Sequence, residues 1–183
     1  MISQHCVLLL SYVDDDETNC CLYNSGLVII TKHNVVKSSF KPFELYGGFC
    51  RLANKGRLWV DLETKDKPKT SFSIINVHLQ SSFPQLYLGY EDVAWKQLQS
   101  VIDEIKDDLC IIAGDMNISY LHKKDDTRIL NNNITFPSLG LVLDHILVPS
   151  FFNEEYDIIH NVLNDVKLSD HFPIETIIKI KDE

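Results

Sequence analysis

Eight short apolar runs rich in Val, Ile, Leu and Phe recur along the 183-residue chain, at 7–13, 27–31, 57–62, 72–78, 109–113, 141–148, 156–162 and 174–180. Each is too short to carry the stripe of a helix. Several are apolar without alternation, the pattern of strands covered on both faces. One segment, 91–106, has the helical period instead: Ala94, Leu98, Val101, Ile102 and Ile105 share a stripe, with Glu, Asp, Lys and Gln elsewhere. Strand 72–78, helix 91–106 and strand 109–113 then form one β-α-β unit, and the outer regions read as strand after strand. The expected class is α/β or α+β, with sheets packed on each other.

No repeat, low-complexity tract or Pro/Gly-rich linker divides the chain, so residues 1–183 are expected to form one domain. With 17 Lys+Arg against 26 Asp+Glu, the formal charge is −9, which speaks against a basic surface built to neutralise duplex phosphates. It leaves room for an enzyme that meets one phosphate through a metal ion. The five cysteines (Cys6, Cys20, Cys21, Cys50, Cys110) are odd in number and lack ligand spacing, which favours free thiols over disulfides or structural zinc. No apolar run approaches the roughly 18 residues of a membrane span. The run 6–10 is short, has no basic flank and precedes Asp14, Asp15 and Asp16, unlike a signal peptide. The expected location is intracellular, in the cytoplasm.

Strong polar side chains interrupt the apolar runs at four places: Asn76-Val-His78-Leu-Gln80, Gly114-Asp115-Met-Asn117, Leu143-Asp144-His145-Ile146 and Ser169-Asp170-His171-Phe-Pro173. Each falls at or just past a strand end, where α/β folds commonly place their chemistry. Singly, each has a plain reading. His78 fits a satisfied strand-end histidine, Asp115 and Asn117 an Asx turn, and Asp170-His171 a turn before proline. Asp144 is different, because a carboxylate inside an apolar run needs a partner, and His171 is of the right kind. Together His78, His171, Asp115, Asp144, Asp170, Asn76 and Asn117 offer two imidazoles, three carboxylates and two amides. That inventory suits metal-assisted hydrolysis, with a His–Asp pair to take a proton from water. The sequence has no GxxxxGK[ST] loop, GxGxxG turn, HExxH helix or GxSxG elbow.

These residues carry a resemblance to a known family. Asn76-Val-His78-Leu is similar to the NTHL motif of the endonuclease/exonuclease/phosphatase superfamily, and Gly114-Asp115-Met-Asn117 to its GDFN motif. Leu143-Asp144-His145-Ile146 resembles LDHI, Ser169-Asp170-His171-Phe-Pro173 matches SDHxP, and residues 25–32 resemble the GLAILSK strand. The resemblance implies a DNase I-like four-layered sandwich of two packed β-sheets flanked by helices. It implies His171 as general base with Asp144 orienting it, and Asp115 and Asn117 positioning water or phosphate. His78 and Asn76 would contact the phosphate, and Asp170 and Asp115 the metal. The expected cofactor is Mg²⁺, with Mn²⁺ as its alternative, because the ligands are oxygens.

Upstream of residue 25 neither the family's Asn after the first strand nor the Glu of its LQE motif is matched; Gln4 and Glu17 stand in other contexts. Ala94 also stands three residues before Gln97, where the family carries Arg. The chain is thus expected to be N-terminally incomplete, corresponding to the family's C-terminal two-thirds. His78-Leu-Gln80 and Lys55-Gly56 resemble the neutral sphingomyelinase branch, although Lys-Gly is also a common hairpin turn. Only 23 residues separate Asn117 from Leu141, little room for a duplex-reading insertion. The expected function is a Mg²⁺-dependent phosphodiester hydrolase acting on a lipid or small phosphodiester. The alternatives are a nuclease acting on DNA or RNA, and a catalytically degenerate member that binds a phosphate ligand or a protein partner.

Overall fold

The computed structural model describes residues 25–65, 67–81, 90–105, 109–119, 127–129 and 133–181. The expected strand at 7–13, Gln4, Glu17 and three of the cysteines lie outside the described residues.

Six strands form one sheet: β1 (Asn34–Pro42), β2 (Gly56–Glu63), β3 (Ser71–His78), β4 (Cys110–Asp115), β5 (Thr127–Ile129) and β6 (Asp144–Pro149), in the order β1-β2-β3-β4-β6-β5. Helix α1 (Glu91–Ile102) connects β3 to β4, which pair in parallel as a β-α-β crossover requires; the other pairings are antiparallel. After the single turn α2 (Phe152–Glu155), strands β7 (Tyr156–Val162) and β8 (Ile174–Ile180) form a second, antiparallel sheet. The protein is α/β, with two packed sheets.

Alternation along the central strands assigns the two faces of the large sheet. On one face Ile75 and Val77 of β3, Ile112 of β4 and Leu147 of β6 pack with Ala94, Leu98 and Val101 of α1. These are the stripe residues that made 91–106 read as a helix. On the other face Leu58, Val60 and Leu62 of β2 pack with Ile29, Phe72 and Ile74. Burying each such side chain is worth about 1.5–3 kcal/mol, so both faces are committed to the core.

Three local expectations differ from the structure. Residues 27–31 bury Ile29 against β2 but hold only a single bridge residue, not a strand. Strand β1 was not expected, because as an edge strand its side chains are mostly exposed and show no apolar run. Helix α1 stops at Ile102 rather than reaching 106. Past that point the backbone tightens, with Glu104 N–H donating to Val101 O at 3.2 Å. The Glu104 carboxylate then turns to the sheet, meeting the buried Arg57 guanidinium and Lys41 Nζ.

β3 and β4 run unusually close at the end that carries the polar residues. Gly114 has φ +140°, and a Cβ placed there would stand 2.0 Å from the Val77 carbonyl oxygen. The neighbour is backbone and cannot rotate away, so only glycine fits. Gly114→Ala is expected to cost about 2–4 kcal/mol in urea denaturation, with β3 and β4 losing hydrogen-exchange protection first.

Candidate active site

The strand register aligns the polar residues into a row. His78 of β3 pairs with Asp115 of β4, and Asp115 pairs with Asp144 at the start of β6. All three therefore share the face opposite α1, with Asn76 one step further down β3. His171 arrives from elsewhere, on the 163–173 connection between β7 and β8. Its Nδ1 lies 2.7 Å from Asp144 Oδ2. A residue 27 positions away in sequence thus completes the row.

Thr135, fully buried, holds this junction together. Its hydroxyl accepts from the N–H groups of Leu143 (3.0 Å) and Asp144 (3.1 Å). Its carbonyl accepts from Phe172 N–H at 2.7 Å, so the Asp144 strand and the His171 loop meet on one residue. The Phe136 ring packs on the His171 imidazole at 4.8 Å between centroids. Nothing in the sequence around Thr135 points to this role. Its role follows from the turn that brings 135 beside 143 and 172.

At the other end of the row, Asn117 adopts φ 51°, a left-handed conformation that Asn tolerates better than most residues. This turns its own N–H onto Asp115 Oδ1 at 3.0 Å, while its Nδ2 donates to Leu79 O at 3.2 Å. Lys55, also buried, donates to the same Leu79 carbonyl at 2.6 Å and places a positive charge near both Asp115 and His78. The sequence showed Lys55 only as half of a Lys-Gly pair. Its burial is set by the assembled strands, and a buried lysine is costly unless it serves a charge partner. Asn76 Nδ2 donates to Val28 O at 3.1 Å, fastening the 25–31 segment to β3. Asp170 is exposed and accepts from Ser169 Oγ at 3.0 Å.

The electrostatics follow from burial and from the two adjacent carboxylates. Burial, joined by repulsion from Asp144, pushes the Asp115 carboxyl up to about 6, against the pull of the Asn117 N–H, His171 and Lys55. Burial, with Lys55 and His171 adding to it, holds His78 down at about 4, so this imidazole is neutral at physiological pH. Burial would also lower His171, but the hydrogen bond and charge of Asp144, with Asp115 and Asp170, raise it above the usual histidine value. The row thus contains one histidine kept neutral and one kept basic. His78 Nε2 stands 3.5 Å from Asp115 Oδ2, a contact rather than a close bond. Among the described residues no group of three or more His, Cys, Asp or Glu side chains is placed to hold a metal ion.

No protein-family model matches the chain, and no curated protein matches its sequence. Solved structures do match. Over 87% of this chain and 69% of theirs, the residues superpose on SmcL with TM-score 0.66 at 21% identity. Beta toxin from Staphylococcus aureus, crystallised with bound magnesium ions, aligns over 84% of this chain and 68% of its own with TM-score 0.67 at 17% identity. Sphingomyelinase C from Streptomyces griseocarneus aligns over 93% and 76% with TM-score 0.64 at 14% identity. Truncated TDP2 from Caenorhabditis elegans aligns over 81% and 68% with TM-score 0.56 at 13% identity. The chain shares the DNase I-like fold with these structures.

In this DNase I-like fold the row His78–Asp115–Asp144 lies at the strand ends of the large sheet, with His171 delivered by the second. The site stores electrostatic strain in Asp115. Its folded-state value lies above the ordinary 3.8, so its contribution to stability is present below 3.8 and lost as pH rises through about 6. Asp115→Asn removes that loss. In chelator-containing buffer at pH 8 the variant is expected to melt above wild type, and the difference is expected to shrink as pH falls below about 6. Equal melting of the two proteins from pH 4 to 8 would contradict this account of the row.

Proposed function

We propose that the chain is a phosphodiester hydrolase in which His171 activates water. The observation that carries this reading is the 2.7 Å hydrogen bond between His171 Nδ1 and Asp144 Oδ2. With Asp144 accepting at Nδ1, the ring's proton stays there and the Nε2 lone pair is left to take a proton from water. The carboxylate also stabilises the imidazolium that forms, as the raised affinity of His171 for protons reflects.

The other residues divide the remaining work. Neutral His78 offers an N–H to a phosphate oxygen without competing for the proton His171 removes. Asn117 and Asn76 supply amides on either side of the row, and Lys55 supplies buried positive charge beside Asp115. Mg²⁺ or Mn²⁺ fits this donor set. Such cations are held by one or two carboxylates together with water and phosphate, and Asp115 is a half-buried carboxylate whose charge its neighbour Asp144 opposes. Asp115 would hold the cation, with Asp170 on the adjoining loop. When bound, it would neutralise charge on the phosphate oxygens.

A lipid or other small phosphodiester is the favoured substrate over duplex DNA. The sphingomyelinase C likeness, the −9 charge and the 23-residue span between Asn117 and Leu141 all support that choice. Cys50 carries a free thiol, which supports a reducing, intracellular compartment.

Hydrolysis of sphingomyelin, bis(p-nitrophenyl) phosphate and single- and double-stranded DNA, each with Mg²⁺, Mn²⁺ or chelator, tests the reading. Metal-dependent turnover of at least one diester is expected, strongest on the lipid. His171→Ala is expected to lower kcat by about 10²–10⁴-fold. The rate should rise with pH along a limb centred above the ordinary histidine value of 6.5, and Asp144→Asn should move that limb down as well as slow the reaction. No turnover on any diester, or a His171→Ala enzyme as fast as wild type, would overturn the proposal.

A further inference from the structure

Strands β7 and β8 pair only with each other among the described residues, and every residue of both is half-buried or exposed. Such a pair is marginal in water unless it gains another strand or a packing partner. Two hydrogen bonds fix which way its backbone groups point. Leu163 N–H donates to Pro173 O at 2.9 Å, and Lys181 N–H donates to Glu155 O at 3.0 Å. Antiparallel ladders alternate with period two, so the backbone groups of Glu175, Ile177 and Lys179 face β7. Those of Ile174, Thr176, Ile178 and Ile180 face the other edge, which no described strand covers. Edge strands are commonly guarded by proline, bulges or unmatched charge. β8 contains no proline, and its register with β7 has no shift. Its sequence, Ile-Glu-Thr-Ile-Ile-Lys-Ile, reads nearly alike in both directions about Ile177, with opposite charges at matching places.

We propose that β8 pairs antiparallel with β8 of a second copy of this chain, about a two-fold axis through Ile177. This goes beyond the phosphodiesterase reading and does not depend on it. In this register Ile174 stands opposite the partner's Ile180, and Thr176 opposite the partner's Ile178. Edge-facing residues thus meet only edge-facing residues, and each outward N–H and C=O finds its counterpart. Glu175 stands opposite the partner's Lys179 in the closer, non-hydrogen-bonded kind of pair, where opposite charges attract. A slip of one residue would set edge-facing groups against groups already bonded to β7 and would break the charge match, so the register is specified. Glu175 also accepts from Asn161 Nδ2 at 3.2 Å, and Lys179 is the register partner of Asp157. Each charge is then flanked by complementary groups on both sides of a four-stranded sheet. Ile180, 61% exposed in the single chain, gains an apolar neighbour. The β7–β8 connection carries His171, so the pairing also steadies the sheet that delivers His171 to Asp144.

Sedimentation velocity over a concentration series of the full chain tests the proposal. A reversible dimer is expected, and a weak one, because a single strand pair buries less than the roughly 1,200–2,000 Å² of a standard interface. Glu175 and Lys179 are exposed, so their charges can be reversed with the fold intact. Glu175→Lys alone, or Lys179→Glu alone, sets like charges opposite at both symmetry-related places. Each is expected to raise the dimer dissociation constant about tenfold or more. The double variant Glu175→Lys, Lys179→Glu restores opposite charges and is expected to dimerise as wild type does. An equimolar mixture of the two single variants is expected to form heterodimers for the same reason. Amide hydrogen exchange gives a second readout: protection at Thr176 and Ile178 should rise with protein concentration, while Ile177, whose N–H faces β7, changes less.

A chain still monomeric at about 1 mM would overturn the proposal. So would single variants that associate as wild type does, or a double variant and a mixture that both stay monomeric. Dimerisation that leaves the Thr176 and Ile178 amides unprotected would overturn it too, because the contact would then lie on another face.

Discussion

Two carboxylates facing each other across β4 and β6 set the terms for everything around them. Asp115 and Asp144 are register partners, partly buried, and their like charges repel. Such a pair is tolerated only where positive or proton-donating groups converge on it. Here they come from four separate segments. His171 reaches Asp144 from the β7–β8 connection, and the Asn117 N–H reaches Asp115 from just beyond β4. Lys55 contributes from the start of β2, and His78 from the end of β3. The fold exists, in this sense, to bring those segments to one row.

The surrounding polar network is what keeps the row in place. The Leu79 carbonyl accepts from both Lys55 Nζ and Asn117 Nδ2, and Leu79 N–H donates to Asp115 O at 3.0 Å. One residue further, buried Gln80 accepts from Gly47 N–H at 2.9 Å, and its own N–H donates to Gln97 Oε1 at 2.7 Å. Gln97 belongs to α1, so the helix on one face of the sheet is connected through two amides to the strand ends that carry the site. Buried amides left without such partners would cost about 1–3 kcal/mol each, which makes this arrangement specific as well as stabilising.

Much of this was legible in the sequence. The apolar runs at 57–62, 72–78 and 109–113 became β2, β3 and β4, because burial on the core faces dictates β-branched, continuous composition, and those at 156–162 and 174–180 became the half-exposed pair β7 and β8. The stripe through Ala94, Leu98 and Val101 became α1 for the same reason. Asp144 announced a partner because a carboxylate in an apolar run has to find one. Other features carried no local signal. β1 is an exposed edge strand held by backbone pairing to β2, and its side chains do not report that. Thr135 and Lys55 act through contacts with distant segments, which only the assembled topology creates. The helix end was misplaced because Glu104 serves Arg57 on the sheet, a tertiary demand that overrides helical period.

The account turns on His171 being held with its proton on Nδ1 and its Nε2 basic. A ¹⁵N–¹H NMR titration of the histidine side chains reads this without substrate or metal. The account predicts a His171 midpoint above 6.5, a downfield Nδ1–H resonance, and a downward shift of that midpoint in Asp144→Asn. A His171 that titrates at or below 6.5, unchanged when Asp144 loses its charge, would contradict it.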